Sequence, residues 1–260
     1  MRVSTAQFGI DGETAIVTGS SSGIGRAIAR RFAEDGVDVV VCSREQENVD
    51  PVAEEINEGD SPARALAVEC DVTDREAVEG LVEATVEEFG SLDVLVNNAG
   101  ASFMAAFDDV SPNGWQTIVD INLHGTYHCT HAAAAHLKDG GGTVINFASV
   151  AGQRGSPLMS PYGAAKAAVI NLTTTLSNEW AHDDVRVNCI APGFVATPGV
   201  ESQMGVSADN IDREAVARRI GTVEEIADIA QFLASPAASY IVGETITAGG
   251  VPQISEEYEV

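Results

Sequence analysis

Along the chain, short unbroken apolar runs alternate with longer stretches in which apolar residues recur every three or four positions. The runs TAIVT, VDVVVCSR, ARALAVECDV, SLDVLVNNAG, TVINFAS at 143–149, DVRVNCIAPG and the shorter GETITAGG are apolar on successive residues rather than on alternate ones. A strand of that composition is buried on both faces, the condition of a parallel sheet covered on each side by helices. Between the runs lie the helical stretches. Ile24, Ile28 and Phe32 share one face before Gly36 stops the first helix. The spacing then predicts a short helix over 51–58, an acidic amphipathic one over 74–89, a long one over 111–137, and others over 160–181 and 224–233. Strand alternating with helix throughout predicts an α/β fold, a single-domain doubly wound parallel sheet of about seven strands with helices on both faces, over 1–260. Residues 1–12 carry no pattern and are expected to lead into the first strand. No internal repeat and no separating linker interrupts the series.

In such sheets ligands lie outside the carboxyl ends of the strands, near the switch point. The polar clusters of this chain fall on that edge: 19–25, Ser43 and Arg44, Asp71, 97–100, Ser149, and Pro192 with Gly193. TGSSSGIG at 18–25 follows a strand and precedes a helix, with Gly19, Gly23 and Gly25 around Ser21, Ser22 and Ile24. Glycines let the backbone approach a pyrophosphate, and the helix start offers unpaired N–H donors. The spacing is G-x-x-x-G-x-G rather than the usual G-x-G-x-x-G. At the end of the second strand, a carboxylate would bond a ribose 2′-hydroxyl, whereas an arginine accommodates a 2′-phosphate. Ser43 and Arg44 stand there, so NADP(H) is expected to be preferred over NAD(H).

SVAGQRGSPLMSPYGAAK, at 149–166, holds the candidate chemistry. Tyr162 and Lys166 are an i, i+4 pair, so on a helix phenol and ammonium share a face. A free phenol titrates near pH ~10, and a lysine charge at about 4 Å supplies on the order of 4 kcal/mol at an effective dielectric near 20, nearly enough to bring that titration to neutrality. Ser149, ending an apolar strand, offers a hydroxyl to a carbonyl oxygen beside the phenol. The plain alternative is a surface pairing, but with two lysines and four tyrosines in the chain such a match is rarely accidental.

TGSSSGIG, NNAG, the Ser149, Tyr162 and Lys166 set and the later PGFVAT together resemble the short-chain dehydrogenase/reductase family over 11–250. The resemblance implies an NAD(P)-dependent oxidoreductase on a Rossmann sheet, usually a homotetramer. It implies that Asn122, in VDINLHG, helps hold a proton-relay water, that Ser149 polarises the substrate and that Tyr162 is the acid/base. Lys166 would bind the nicotinamide ribose and lower the phenol's pKa. Asp71, with Val72, would meet the adenine; Asn98, Ala99 and Gly100 would form the adenosine-side turn. Pro192, Gly193, Val195 and Thr197 would meet the nicotinamide carboxamide. One departure is TAGG at 247–250, where the family carries an acidic residue before paired glycines. The small-molecule carbonyl or alcohol substrate would be chosen by a polar loop at about 198–219 that closes over the site. The chain from Tyr162 to Trp180 and the ending ITAGGVPQISEE resemble 3-oxoacyl and enoyl thioester reductases more than steroid enzymes. A sugar dehydrogenase is the alternative within the family; a non-catalytic NADP(H)-binding sensor or scaffold is the alternative outside it.

Charge narrows the partners. There are 39 acidic residues against 14 basic ones, a formal charge of -25 spread along the chain, which argues against nucleic acid and anionic membrane surfaces. A lysine-poor acidic surface suits a cytosol rich in salt, so a halophilic source is expected. Cys42, Cys70, Cys129 and Cys189 are far apart and are expected to be buried free thiols. No metal is expected at His124, His128, His131 and His136. Without an exported leader pattern or a long apolar span, the expected location is cytoplasmic. The charge also generates a stability prediction. As salt rises from about 0.1 to about 1 M the Debye length falls from ~10 to ~3 Å, relieving self-repulsion, so the melting temperature should rise over that range. A melting temperature independent of salt would contradict it.

Overall fold

The computed structural model describes residues 8–10, 12–205 and 207–252. Of the lead-in expected over 1–12, residues 1–7 and 11 lie outside these, as do 206 in the expected substrate loop and 253–260. Seven strands form one sheet: β1 (Thr14–Thr18), β2 (Asp38–Ser43), β3 (Ala65–Glu69), β4 (Val94–Asn97), β5 (Gly142–Phe147), β6 (Val185–Pro192) and β7 (Thr245–Ala248). Their order is β3-β2-β1-β4-β5-β6-β7, and every pairing is parallel. The order reverses between β1 and β4, which opens a crevice above Thr18 and Asn97.

Successive residues of a strand face opposite sides, so an unbroken apolar run serves two cores. Ala15, Val17, Val39, Val41, Val94 and Val96 pack with α1 (Gly23–Glu34), α2 (Gln46–Asn57) and α9 (Val223–Ala234). Ile16, Val40, Leu95 and Val144 pack with α3 (Arg75–Phe89) and α5 (Gly125–Lys138). Ala148, Val169, Cys189 and Ala191 join the sheet to α7 (Ser160–Glu179) on that second side. Fully burying each large apolar side chain contributes roughly 1.5–3 kcal/mol, so the two layers hold the strand ends in place.

Several boundaries differ from the expected ones for identifiable reasons. Asp74 does not begin α3 but caps it, accepting from the N–H groups of Glu76 and Ala77, and Gly90 ends it in the left-handed region at φ 88°. α2 begins at Gln46 instead of 51, with Pro51 inside it. Burial of Val49, Val52, Ala53 and Ile56 along one face outweighs the hydrogen bond that a proline forgoes. The long helix over 111–137 is two, α4 (Pro112–Val119) and α5, joined by a π turn at Asp120–His124. A short α6 (Val150–Gln153) follows β5. The expected loop over 198–219 is partly helical: α8 (Pro198–Met204) starts where the Thr197 hydroxyl accepts from Val200 N–H, and a 3₁₀ turn covers Ala208–Asn210.

Candidate active site

The crevice at the switch point contains a cavity of about 420 Å³. Of the residues expected to hold a cofactor, Gly19, Ser21, Ser22, Gly23, Ile24, Ser43, Arg44, Asp71, Val72, Asn98, Ala99, Gly100 and Thr197 line it. Gly19 and Gly23 sit in the left-handed region, at φ 63° and 56°. A side chain on Gly19 would meet the Ala99 backbone at 2.8 Å. Asn98 fastens the two turns together, its Nδ2 donating to the carbonyls of Thr18 and Gly19 at 2.9 and 3.0 Å. Thr18 Oγ1 in turn accepts from the N–H groups of Asn98 and Ala99. Ser22, the N-cap of α1, spends no side-chain hydrogen bond on the helix, and the first turn carries no acid. That end therefore presents N–H donors and a positive dipole to the cavity. Glycine cradle, free donors and arginine fit the pyrophosphate and phosphates of a nicotinamide dinucleotide.

Six of the residues expected to contact the cofactor do not line this cavity: Tyr162 and Lys166, which stand beside it, and Gly25, Pro192, Gly193 and Val195. Gly25 is buried, and a side chain there would collide with the Gly19 carbonyl and Asn98 Nδ2, so its role is to let α1 close on the turn. Pro192 and Gly193 are held by β7 at Ala248, and Val195 lies in the core. Asp71 lines the cavity while its Oδ1 accepts from the Thr73 N–H and hydroxyl. Glu45 and Asn48, also in the wall, are not marked in the sequence because they are the N-cap and first turn of α2, a start that Pro51 concealed.

Arg44 is exposed in the wall and makes no ion pair among the described residues. By contrast Arg26, Arg31, Arg64, Arg75, Arg213 and Arg219 each reach a carboxylate.

Beside the cavity, Ser149 caps α6, its Oγ accepting from Ala151 N–H at 3.2 Å. Tyr162 lies in the first turn of α7, and Lys166 one turn later is 3% exposed. A side chain on Gly152 would run into the Lys166 backbone at 2.6 Å, so the glycine lets α6 lie against α7. Lys166 Nζ donates to the Phe147 carbonyl at 2.8 Å and stands 5.7 Å from the centre of the Tyr162 ring. Asn122, fully buried in the π turn, donates from Nδ2 to the carbonyls of Ala101 and Ile118 at 2.7 and 2.9 Å. Its Oδ1 has no partner among the described residues and, like the Lys166 ammonium, faces Gly100. The structure thus gathers Asn122, Ser149, Tyr162 and Lys166 at one end of the cleft.

A family model described as enoyl-(acyl carrier protein) reductase matches residues 19–250. A 3-oxoacyl-acyl-carrier-protein reductase of Synechocystis is 40% identical over 243 residues, 92% of this chain and 96% of its own. The chain belongs to the short-chain dehydrogenase/reductase family. A 3alpha-hydroxysteroid dehydrogenase of Mediterraneibacter gnavus, 36% identical over 239 residues, is matched over 92% of this chain and 96% of its own. Among solved structures, a short-chain type dehydrogenase/reductase from Mycobacterium marinum superposes with a TM-score of 0.85 at 33% identity, covering 94% of this chain and 96% of that one. This short-chain dehydrogenase/reductase is an oxidoreductase acting on CH–OH or carbonyl groups. No described helix is long and apolar enough to cross a membrane. All four cysteines are free and buried. His124 pairs with Asp120 and His128 with the Val72 carbonyl, and no group of three or more metal-ligating side chains gathers among the described residues.

The electrostatics correct one expectation. The Tyr162 phenol is raised, not lowered: burial pushes it up, and the Ser149 hydroxyl pulls partly back. Lys166 is turned to the Phe147 carbonyl, and burial lowers its own pKa from 10.5 to about 8. Such a shift corresponds to about 3 kcal/mol of destabilisation while the group is charged. Below pH 8 both folded and unfolded chains hold that proton and the penalty is constant; between 8 and 10.5 the folded chain has released it, so stability recovers as pH rises. Lys166→Met should therefore be more stable than the parent at pH 7, by up to about 3 kcal/mol, with the advantage shrinking through that window. Calorimetry on both proteins checks this; a variant that melts lower than the parent would show the ammonium to be a net stabiliser.

Proposed function

We propose that the chain is an NADP(H)-dependent reductase of 3-oxoacyl thioesters or close chemical relatives. The observation that carries the reaction is the grouping of a buried ammonium, a protonated phenol and the Ser149 hydroxyl that bonds it, at the end of the cleft. Bound in the cleft, the nicotinamide supplies the hydride. Gly19 to Gly23 would hold the pyrophosphate, Asp71 and Val72 the adenine, Asn98 to Gly100 the adenosine side and Lys166 the ribose. Thr197, in the cavity wall, would meet the carboxamide. Ser149 orients the carbonyl oxygen by donating to it. Tyr162, kept protonated by burial, gives its proton to that oxygen, which suits the reductive direction. Lys166 would then return a proton to the phenol, resupplied from solvent through a water that Asn122 helps hold.

Cofactor choice rests on Arg44. In a chain with 39 acids, an arginine in the cavity wall that pairs with no carboxylate among the described residues is kept for another anion, and a 2′-phosphate fits it. The thioester reading is supported by the described activities of the matched family model and of the Synechocystis relative. It is further supported by Met104 and Leu158, which are 66% and 47% exposed on loops joined by a bond from Ala105 N–H to the Leu158 carbonyl. Exposed apolar side chains there suit a hydrocarbon tail better than a sugar. The same reading carries a homotetramer in the cytoplasm, the family's usual assembly.

A substrate panel with NADPH and NADH, at one fixed high salt concentration, tests this. A 3-oxoacyl thioester should give the highest kcat/KM, and NADPH should be favoured roughly 10- to 150-fold, the worth of one charge-assisted guanidinium contact. Ser43→Asp combined with Arg44→Leu should narrow or reverse that ratio. A parent that prefers NADH or an aldose would contradict the proposal, and cofactor binding without substrate-dependent oxidation would mark a sensor instead.

A further inference from the structure

Two consecutive residues of β5 grip α7. Asn146 Nδ2 donates to Thr173 Oγ1 at 3.0 Å, and the Phe147 carbonyl accepts from Lys166 Nζ at 2.8 Å. Asn146 also accepts, through Oδ1, from Asn97 Nδ2 at 2.9 Å, and the same Asn97 nitrogen donates to Thr130 Oγ1 at 2.8 Å. From Thr130 the series climbs α5 by hydroxyl donation, Thr130 to the Thr126 carbonyl at 2.7 Å and Thr126 to the Asn122 carbonyl at 3.1 Å. At the other end Thr173 donates to the Val169 carbonyl at 2.9 Å. Asn122, Asn146 and Thr173 are fully buried. One hydrogen-bonded series thus runs from the π turn, across two strands, into the helix that carries Tyr162 and Lys166.

We propose that Asn146 and Thr173 are positioning residues that set the register of α7 and so place the Lys166 ammonium opposite Asn122. The proposal rests on the reading that Tyr162 and Lys166 handle the proton. Neither residue lines the cofactor cavity, and stability alone does not call for them, since apolar residues of the same shape can replace both partners of a buried hydrogen bond at little cost. What a directional bond adds is a unique register. The buried face of α7 is built of small and short residues, Ala165, Val169, Thr173 and Ser177 around Lys166, a surface with few steric ridges to stop the helix sliding along the sheet. Amide-to-hydroxyl pinning at Thr173 and ammonium-to-carbonyl pinning at Lys166 fix it at two points, two turns apart. Asn97, already tied to α5, puts the π turn in the same frame, so the distance between Asn122 and Lys166 is set by side chains that touch neither substrate nor cofactor.

Thr173→Val keeps the shape and deletes the acceptor, while Thr173→Ser keeps the hydroxyl. Thr175→Val, which removes an exposed hydroxyl bonded only to the Asn171 carbonyl, controls for changes to the helix itself. Thr173→Val should lower kcat at least ~10-fold and move the alkaline limb of the kcat profile by roughly half a pH unit or more, with substrate KM changed much less. Thr173→Ser and Thr175→Val should leave kcat within about threefold of the parent and the profile in place. A Thr173→Val protein with a lower melting temperature but the parental kcat and pH profile would overturn the proposal, leaving a structural bond only. If that variant does not fold, Thr130→Val cuts the same series from α5, and parental kcat and profile there would overturn it equally. Tyr162→Phe, run alongside, should lose at least ~10²-fold in turnover. If it does not, the reading of the site falls and this proposal with it; if it does while Thr173→Val is unaffected, positioning alone has failed.

Discussion

The ammonium of Lys166 is buried with the Phe147 carbonyl as its hydrogen-bond acceptor, and few arrangements of backbone can tolerate that. A charged group removed from water is costly unless an acceptor is fixed in place for it, so β5 must end where it does and α7 must start where it does. Gly152 is the consequence on one side, because α6 has to lie against the lysine's own backbone. On the other side it is Gly100, against which both the ammonium and Asn122 Oδ1 are set. The site is assembled around a group that the fold would be more stable without, a common bargain where chemistry needs a proton that moves near neutral pH.

The same fold manages a second electrostatic difficulty. A chain of charge -25 must accept a polyanionic cofactor, and long-range repulsion opposes it. Asp71 and Glu45 stand in the cavity wall, but the phosphate end is kept clear: the first turn of α1 has no acid, Ser22 leaves the helix end free, and Arg44 makes no ion pair among the described residues while other arginines are neutralised by neighbouring carboxylates. Salt screens the distant charges far more than it screens contacts at hydrogen-bonding distance, so the cleft keeps its attraction where the surface loses its repulsion.

Much of this was legible in the residues. Continuous apolar runs announced strands buried on both faces, and the two cores that divide Ile16 from Val17 are the reason the runs are unbroken. The glycine turn, Arg44 and the Tyr162 and Lys166 pair could be placed on one edge because strand ends in a parallel sheet converge. Three features could not. Pro51 read as a helix start, although burial of Val49 carries α2 back to Gln46 and brings Glu45 and Asn48 into the cavity wall. The π turn at Asp120–His124 leaves no mark in the pattern of apolar residues. The direction of the phenol's shift depends on depth and on where the lysine points, and a four-residue spacing fixes neither.

The depth of Lys166 can be measured without any substrate. With only Lys138 and Lys166 in the chain, Lys138→Arg leaves a single lysine, and carbon-13 labelling at its ε position gives one resonance to follow through a pH titration in strong salt. The buried ammonium predicts a midpoint at about 8. A midpoint at the ordinary lysine value of 10.5 would mean that the ammonium is solvated, and would contradict the account of how this site is held together.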